Sequence, residues 1–360
     1  MYKRRSFGEN IMGKISCIKE NYMGHYISNP SPRDKNIVWL NVLRVLATIG
    51  VVVIHTASGM ISNLNDLRYI LEIYQALCRW CVPVFIMISG FLFLNSSKSF
   101  RKILSQNFLR LLTVFIFWTI FFDVLLLATK KAPVLFYFHL WFLPMLAGLY
   151  LLIPFLRVIV KQRKLLQYFL ILWGITAILL PQLLQEIAIV SPTLASILYK
   201  YNLAFQLYFP MGYSGYFLLG YYLGTEDFSA KSEKLIYGLA VISIMVCFMT
   251  DSSLLFYIDS HAKECLTPYV LFLSAGVFVF ARYHCDKIKS TKGLTHLAKW
   301  SFGVYLIHPL IYSLLHRIAI EHYMGNPAYS VFLFSILIVG ISFILSGILN
   351  TIPFCKKYIV

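Results

Sequence analysis

About ten runs of roughly twenty predominantly apolar residues recur from one end of this chain to the other, each long enough to cross a hydrocarbon layer about 30 Å thick. Lipid offers no hydrogen bonds, so a crossing segment must pair its own N–H and C=O groups. Runs of this length do that as α-helices, not as the shorter strands of a barrel. The sequence therefore predicts an all-α, polytopic membrane bundle with spans at about 37–57, 76–96, 108–128, 139–160, 166–184, 203–224, 235–251, 266–282, 301–320 and 329–352. Composition agrees: 59% of the 360 residues are hydrophobic and 13% charged, where a soluble domain carries about 25% charged. Residues 1–36 read as a basic cytoplasmic tail, closed by Asn29-Pro-Ser-Pro32 and lacking the apolar core of a signal peptide. Residues 37–352 then form one transmembrane domain and 353–360 a short cytoplasmic tail.

A formal net charge of +17 invites a nucleic-acid reading, but the basic residues sit in short segments between spans, not along one arm or surface. With the amino terminus inside, the cytoplasmic segments hold 23 Lys and Arg and the outer loops six. That asymmetry is the positive-inside pattern and places both termini in the cytoplasm. The sequence has no internal repeat of solenoid or inverted-repeat length. Seven scattered cysteines form no extracellular framework, and Cys78-x-x-Cys81 lies in an apolar span without the βαβ context of a redox motif.

Three arginines fall inside or at the edge of spans: Arg44, Arg79 and Arg110. An intramembrane charge costs at least about 2.5–3.5 kcal/mol at a helix centre, so such residues usually face the bundle interior or water. Arg79 and Arg110 lie close enough to span ends to snorkel; Arg44 lies deeper. In the first span Arg44 and His55 are eleven residues apart. Eleven steps of about 100° come back to the same helix face, with about 16 Å between the two along the axis. One face thus carries a guanidinium suited to anionic groups towards the cytoplasm, and an imidazole suited to proton transfer towards the outside. The second span continues through Pro83 and the Ser89-Gly90 pair, read here as helix packing. The fourth opens with His139-Leu-Trp141-Phe-Leu-Pro, either an interfacial belt or part of a site. The ninth carries Tyr305-Leu-Ile-His308-Pro309, a histidine beside a helix kink.

No histidine pairs with a carboxylate at the i, i+4 spacing of a helical zinc site, so no metal is expected. Hydrolase elbows, Walker loops and dinucleotide fingerprints are absent from the sequence. Buried charges in proline- and glycine-interrupted spans also suit a transporter or flippase for an envelope precursor, and that alternative stands beside an enzyme.

Taken in order, these elements resemble the acyltransferase 3 family of membrane O-acyltransferases over about residues 37–350. They are the Arg44-x10-His55 pattern, Arg79 with Val82-Pro-Val-Phe-Ile-Met-Ile-Ser-Gly-Phe-Leu, the His139-Leu-Trp-Phe-Leu-Pro run, Gly215-Tyr-Phe-Leu-Leu-Gly-Tyr-Tyr-Leu-Gly and Ser301-Phe-Gly-Val-Tyr-Leu-Ile-His-Pro. The resemblance implies a multi-pass enzyme of a bacterial cytoplasmic membrane that takes an acyl group, acetyl in the stand-alone type, from cytoplasmic acyl-CoA. The acceptor it implies is a hydroxyl of a cell-envelope sugar, with no nucleic acid involved. It further implies that His55 is the catalytic base assisted by Arg44, that Arg110, Arg101 and Lys102 meet the CoA, and that Arg79, His139, Trp141, Tyr305 and His308 lie on the acceptor side. Direct transfer and a covalent acyl-enzyme both stay open. Where the family often has an aspartate three residues before the arginine, this chain has Asn41.

Overall fold

The computed structural model of the chain describes residues 37–60, 68–128, 137–204, 212–249, 265–289, 291–317 and 326–360. The predicted amino-terminal tail and the loop charges Lys130, Lys131 and Lys263 lie outside the described residues. Helices α1 (Val38–Met60), α2 (Arg68–Cys78), α3 (Cys81–Leu94), α4 (Phe100–Ala128) and α5 (Phe142–Val160) lead into α6 (163–190), a helix with a π-helical stretch at Gly174–Leu179. There follow α7 (Pro192–Ala204), α8 (Ser214–Thr225), α9 (Ala230–Met249), α10 (Pro268–His284), α11 (Lys292–Arg317), α12 (Pro327–Thr351) and α13 (Pro353–Tyr358). No strand occurs among the described residues. Of the described residues, all but 95–97 belong to one compact bundle.

By length and composition, seven helices among the described residues are able to cross a membrane: Val38–Met60, Ile70–Leu94, Phe100–Ala128, Phe142–Val160, Arg163–Leu184, Pro268–Lys287 and Ala328–Thr351. Helices also occupy the other three predicted places, as α8, α9 and α11, without meeting that measure. Large apolar side chains stand exposed on α4 (Ile116, Ile120, Val124), α9 (Ile242, Met245) and α12 (Phe332, Ile336, Ile344). A soluble protein does not leave faces like these in water, whereas a bilayer covers them. α1 packs against five other helices, α2, α3, α10, α11 and α12.

The structure differs from the predicted elements in four places. The second span is interrupted at Arg79–Trp80, between α2 and α3, because Pro83 has no N–H to give the Arg79 carbonyl; the next bond runs from Val84 N to Trp80 O. The fourth predicted span, α5, begins at Phe142, leaving His139 and Trp141 in a turn before it. The stretch 185–202, predicted as an outer loop, is helical in α6 and α7. Residues 353–360 do not hang free: α13 returns the chain to the bundle, where Val360 is 3% exposed beside Gly303.

Side-chain bonds to backbone carbonyls tie helix ends together. Arg157 donates to Lys98 O at 2.7 Å and Phe93 O at 2.8 Å, and Arg282 donates to Leu223 O at 2.9 Å. Arg163 pairs with Glu226 at 2.8 Å. All these residues fall in, or at the borders of, segments predicted to be cytoplasmic. Contacts His55–His308 and Gly59–Tyr312 advance together along the chain, so α1 and α11 run parallel.

Candidate functional site

α1 carries two polar stations. At the first, Arg44 sits half-buried, its Nη1 donating to Asn41 Oδ1 at 3.3 Å. The amide at position 41 thus supplies one acceptor, but among the described residues no carboxylate pairs with this guanidinium. The Thr48 hydroxyl donates to the Arg44 carbonyl at 2.8 Å, which satisfies that hydroxyl within the helix. The buried hydroxyl of Tyr150, on α5, lies beside Ser89 of α3 and within electrostatic reach of both Arg44 and Arg110. Two guanidiniums within electrostatic reach of one phenol make this end of the bundle a basic station suited to an anion.

Arg110 itself is held by the carboxyl-terminal segment. It donates to Val360 O at 2.6 Å and Lys356 O at 3.5 Å, and its guanidinium lies 5.9 Å from the centre of the Phe302 ring. Trp118, two turns along α4, fixes the same segment through Ile359 O at 2.9 Å. Arg101 and Lys102 are exposed in the first turn of α4, which Ser99 caps through Lys102 N.

The second station is a group of aromatic and imidazole rings. His55 Nδ1 and His308 Nε2 are 2.6 Å apart, with ring planes within 2° of parallel and centroids 4.9 Å apart. That N···N contact plus the two ring radii accounts for the whole centroid separation, so the rings meet edge to edge in one plane. His308 is 1% exposed, and its Nδ1 lies 2.8 Å from Tyr305 O and 3.2 Å from Val304 O. His139, also 1% exposed, has its ring centre 5.7 Å from that of His308, and Tyr305 donates its hydroxyl to the His139 carbonyl at 2.6 Å. Neither His139 ring nitrogen makes a well-formed hydrogen bond among the described residues, although the Leu306 backbone lies within looser reach. An imidazole left so costs about 1–3 kcal/mol unless it is satisfied from outside the protein. Phe138 presents its ring edge-on to His55 at 5.2 Å.

Of the residues singled out in the sequence, the structure therefore brings His55, His139, Tyr305 and His308 together, from α1, α11 and the turn before α5. Arg44 and Arg110 share the other station. Trp141 and Arg79 join neither group among the described contacts: Trp141 packs on Tyr213 with centroids 5.7 Å apart, and Arg79 donates to Gln75 at 3.2 Å. Sequence reasoning missed Tyr150, Phe138 and the returning carboxyl-terminal segment. A tyrosine midway along an otherwise apolar span was the available signal for Tyr150; for Val360 there was none. No group of three or more metal-ligating side chains occurs among the described residues.

A family model described as an acyltransferase domain matches residues 37–348. Comparison with curated proteins and with solved structures gives no match.

Proposed function

The chain belongs to this acyltransferase family, and we propose that it transfers an acetyl group from cytoplasmic acetyl-CoA to a hydroxyl of a cell-envelope sugar, with His55 as general base. The observation that carries the proposal is the grouping of His55, His139 and His308 at one station of α1, eleven residues from Arg44 at the other. A donor with anionic phosphates suits the arginine station, and an uncharged hydroxyl suits the histidine station. Ten spans cross a bacterial inner membrane, with both termini in the cytoplasm. The shared end of Arg157, Arg163 and Arg282, and the parallel course of α1 and α11, support that arrangement.

In this mechanism Arg101, Lys102 and Arg110 receive CoA phosphates at the cytoplasmic mouth, and Arg44 holds the donor further in. His55 takes the proton of the acceptor hydroxyl as its oxygen bonds to the thioester carbonyl carbon. The C–S bond then breaks, and the protonated His55 returns the proton to the departing thiolate, so protons and charge balance. His139, Tyr305 and Phe138 shape the acceptor side, with Arg79 and Trp141 nearer its rim.

A deletion strain complemented with the parent chain or with His55→Gln tests this reading. Glutamine keeps size and one hydrogen bond but does not take and release a proton near neutrality. Mass spectrometry of the envelope glycans is expected to find the acetyl group lost on deletion and restored by the parent, and the transfer rate of purified His55→Gln is expected to fall by about 10²–10⁴-fold. Parental transfer by His55→Gln overturns the assignment of the base.

A further inference from the structure

We propose that His308 is a positioning residue that fixes His55 in its Nδ1–H tautomer, leaving Nε2 as the nitrogen that accepts the acceptor's proton. The inference rests on His55 being the base and adds which nitrogen acts and what selects it.

The reasoning starts from the helix. In α11 the residue at position 309 is proline, which has no N–H for the carbonyl four residues back, that of Tyr305. The carbonyl so released lies 2.8 Å from His308 Nδ1. Carbonyl oxygens only accept, and the Val304 carbonyl at 3.2 Å does the same, so Nδ1 of His308 must carry a proton. A neutral imidazole has one N–H, which leaves His308 Nε2 as a lone pair. That lone pair sits 2.6 Å from His55 Nδ1, in the plane of both rings. Two lone pairs do not approach to that distance without a proton between them, so His55 Nδ1 is the donor. Its own neutral ring then keeps its basic lone pair on Nε2.

The chain from Tyr305 carbonyl through His308 to His55 does what the carboxylate does in a Ser-His-Asp triad: it chooses the tautomer, fixes the ring and stabilises the imidazolium formed during reaction. Here a neutral imidazole, itself oriented by the backbone, takes the place of the carboxylate. A buried carboxylate beside His55 carries a heavy desolvation cost in a bilayer, which a second histidine avoids. The dipeptide His308-Pro309 encodes both parts of the device: the proline frees the acceptor, and the histidine passes its orientation on. When His55 takes the hydroxyl proton at Nε2, the bond from Nδ1–H to His308 becomes charge-assisted, so the contact is stronger in the transition state than in the resting enzyme.

Two measurements on the full chain in lipid test this. The first is nitrogen NMR of the protein labelled in histidine, with the His55 signals identified by their loss in His55→Gln. The Nδ1–H form is expected at His55, and a resting Nε2–H form overturns the proposal without any variant of His308 having to fold. The second compares His308→Leu with His308→Gln. Leucine removes the acceptor, whereas the glutamine side-chain oxygen reaches about where Nε2 lies. His308→Leu is expected to lower kcat by about 10²-fold or more, with KM for both substrates within about twofold, and His308→Gln to recover at least about tenfold of that loss. A His308→Leu kcat within about threefold of the parent, or a loss confined to KM, overturns it. Should His55→Gln retain parental activity, the reading of the base falls first; an inactive His55→Gln beside an active His308→Leu refutes only the role of His308.

Discussion

Gly90→Ala is expected to destabilise the bundle although alanine is the better helix former. α3 and α8 cross with almost no space between their backbones. A Cβ at position 90 would overlap the Phe217 carbonyl oxygen and lie 2.6 Å from its carbon and 2.9 Å from its Cα. Reciprocally, a Cβ at Gly220 would overlap the Met87 backbone. These are main-chain atoms of helices whose neighbours Ile86, Met87, Phe217 and Leu218 are all 0% exposed, so no flexible side chain can yield. Ordinary contact begins near 3.4 Å, and relieving the overlap requires the helices to part by more than about 1 Å, so the loss for a smaller gap is a lower bound. A gap of 0.5–1 Å forfeits roughly a quarter to a half of each contact's 0.1–0.2 kcal/mol, and a buried side chain makes about 40–60 contacts. One side chain's worth is then about 2–3 kcal/mol, at the upper end of what overpacking usually costs. Alanine returns up to about 1 kcal/mol of helix propensity, for a net loss of at least about 1–2 kcal/mol. At Gly148, on α5 and exposed, an added methyl group would meet nothing within 4 Å, so Gly148→Ala should be neutral or stabilising by up to about 1 kcal/mol. Equilibrium unfolding of both variants in detergent micelles reads the difference. Equal stability of Gly90→Ala and Gly148→Ala would refute the close crossing as the reason for glycine at position 90.

Arg44→Lys keeps the charge and replaces a planar fork by a point charge, so donor KM is expected to rise about tenfold or more if the guanidinium grips an anion through two bonds; titration of acetyl-CoA against the purified enzyme reads it, and an unchanged KM leaves Arg44 supplying only field. Arg110→Ala removes the bonds to the Lys356 and Val360 backbone oxygens and, in the proposed mechanism, a contact with the donor's phosphates. Its KM for acetyl-CoA should rise, and protease should cut the carboxyl-terminal segment faster; parental values for both would separate Arg110 from the donor and from that segment alike.

What the sequence determined by itself was whatever lives on a single helix. Hydropathy runs fix where helices form because lipid leaves the backbone no other partner. The shared face of Arg44 and His55 follows from the helical period alone, and their place on a helix packed among five others follows from the cost of charge in lipid. Local boundaries were less legible: the break at Arg79–Trp80 depends on which carbonyl Pro83 fails to serve, and the helices within 185–202 are weaker in apolar character than the spans around them. Only the tertiary structure decided what meets across helices. His308 and His139 are 253 and 84 residues from His55 along the chain, and nothing in their own segments states that one would bond His55 while the other stands with neither nitrogen in a well-formed hydrogen bond among the described residues. Nor does the sequence of α4 disclose that Arg110 takes hold of Val360. Periodicity is a property of neighbours a few residues apart, whereas the partner of a buried polar group is chosen by the packing of the whole bundle.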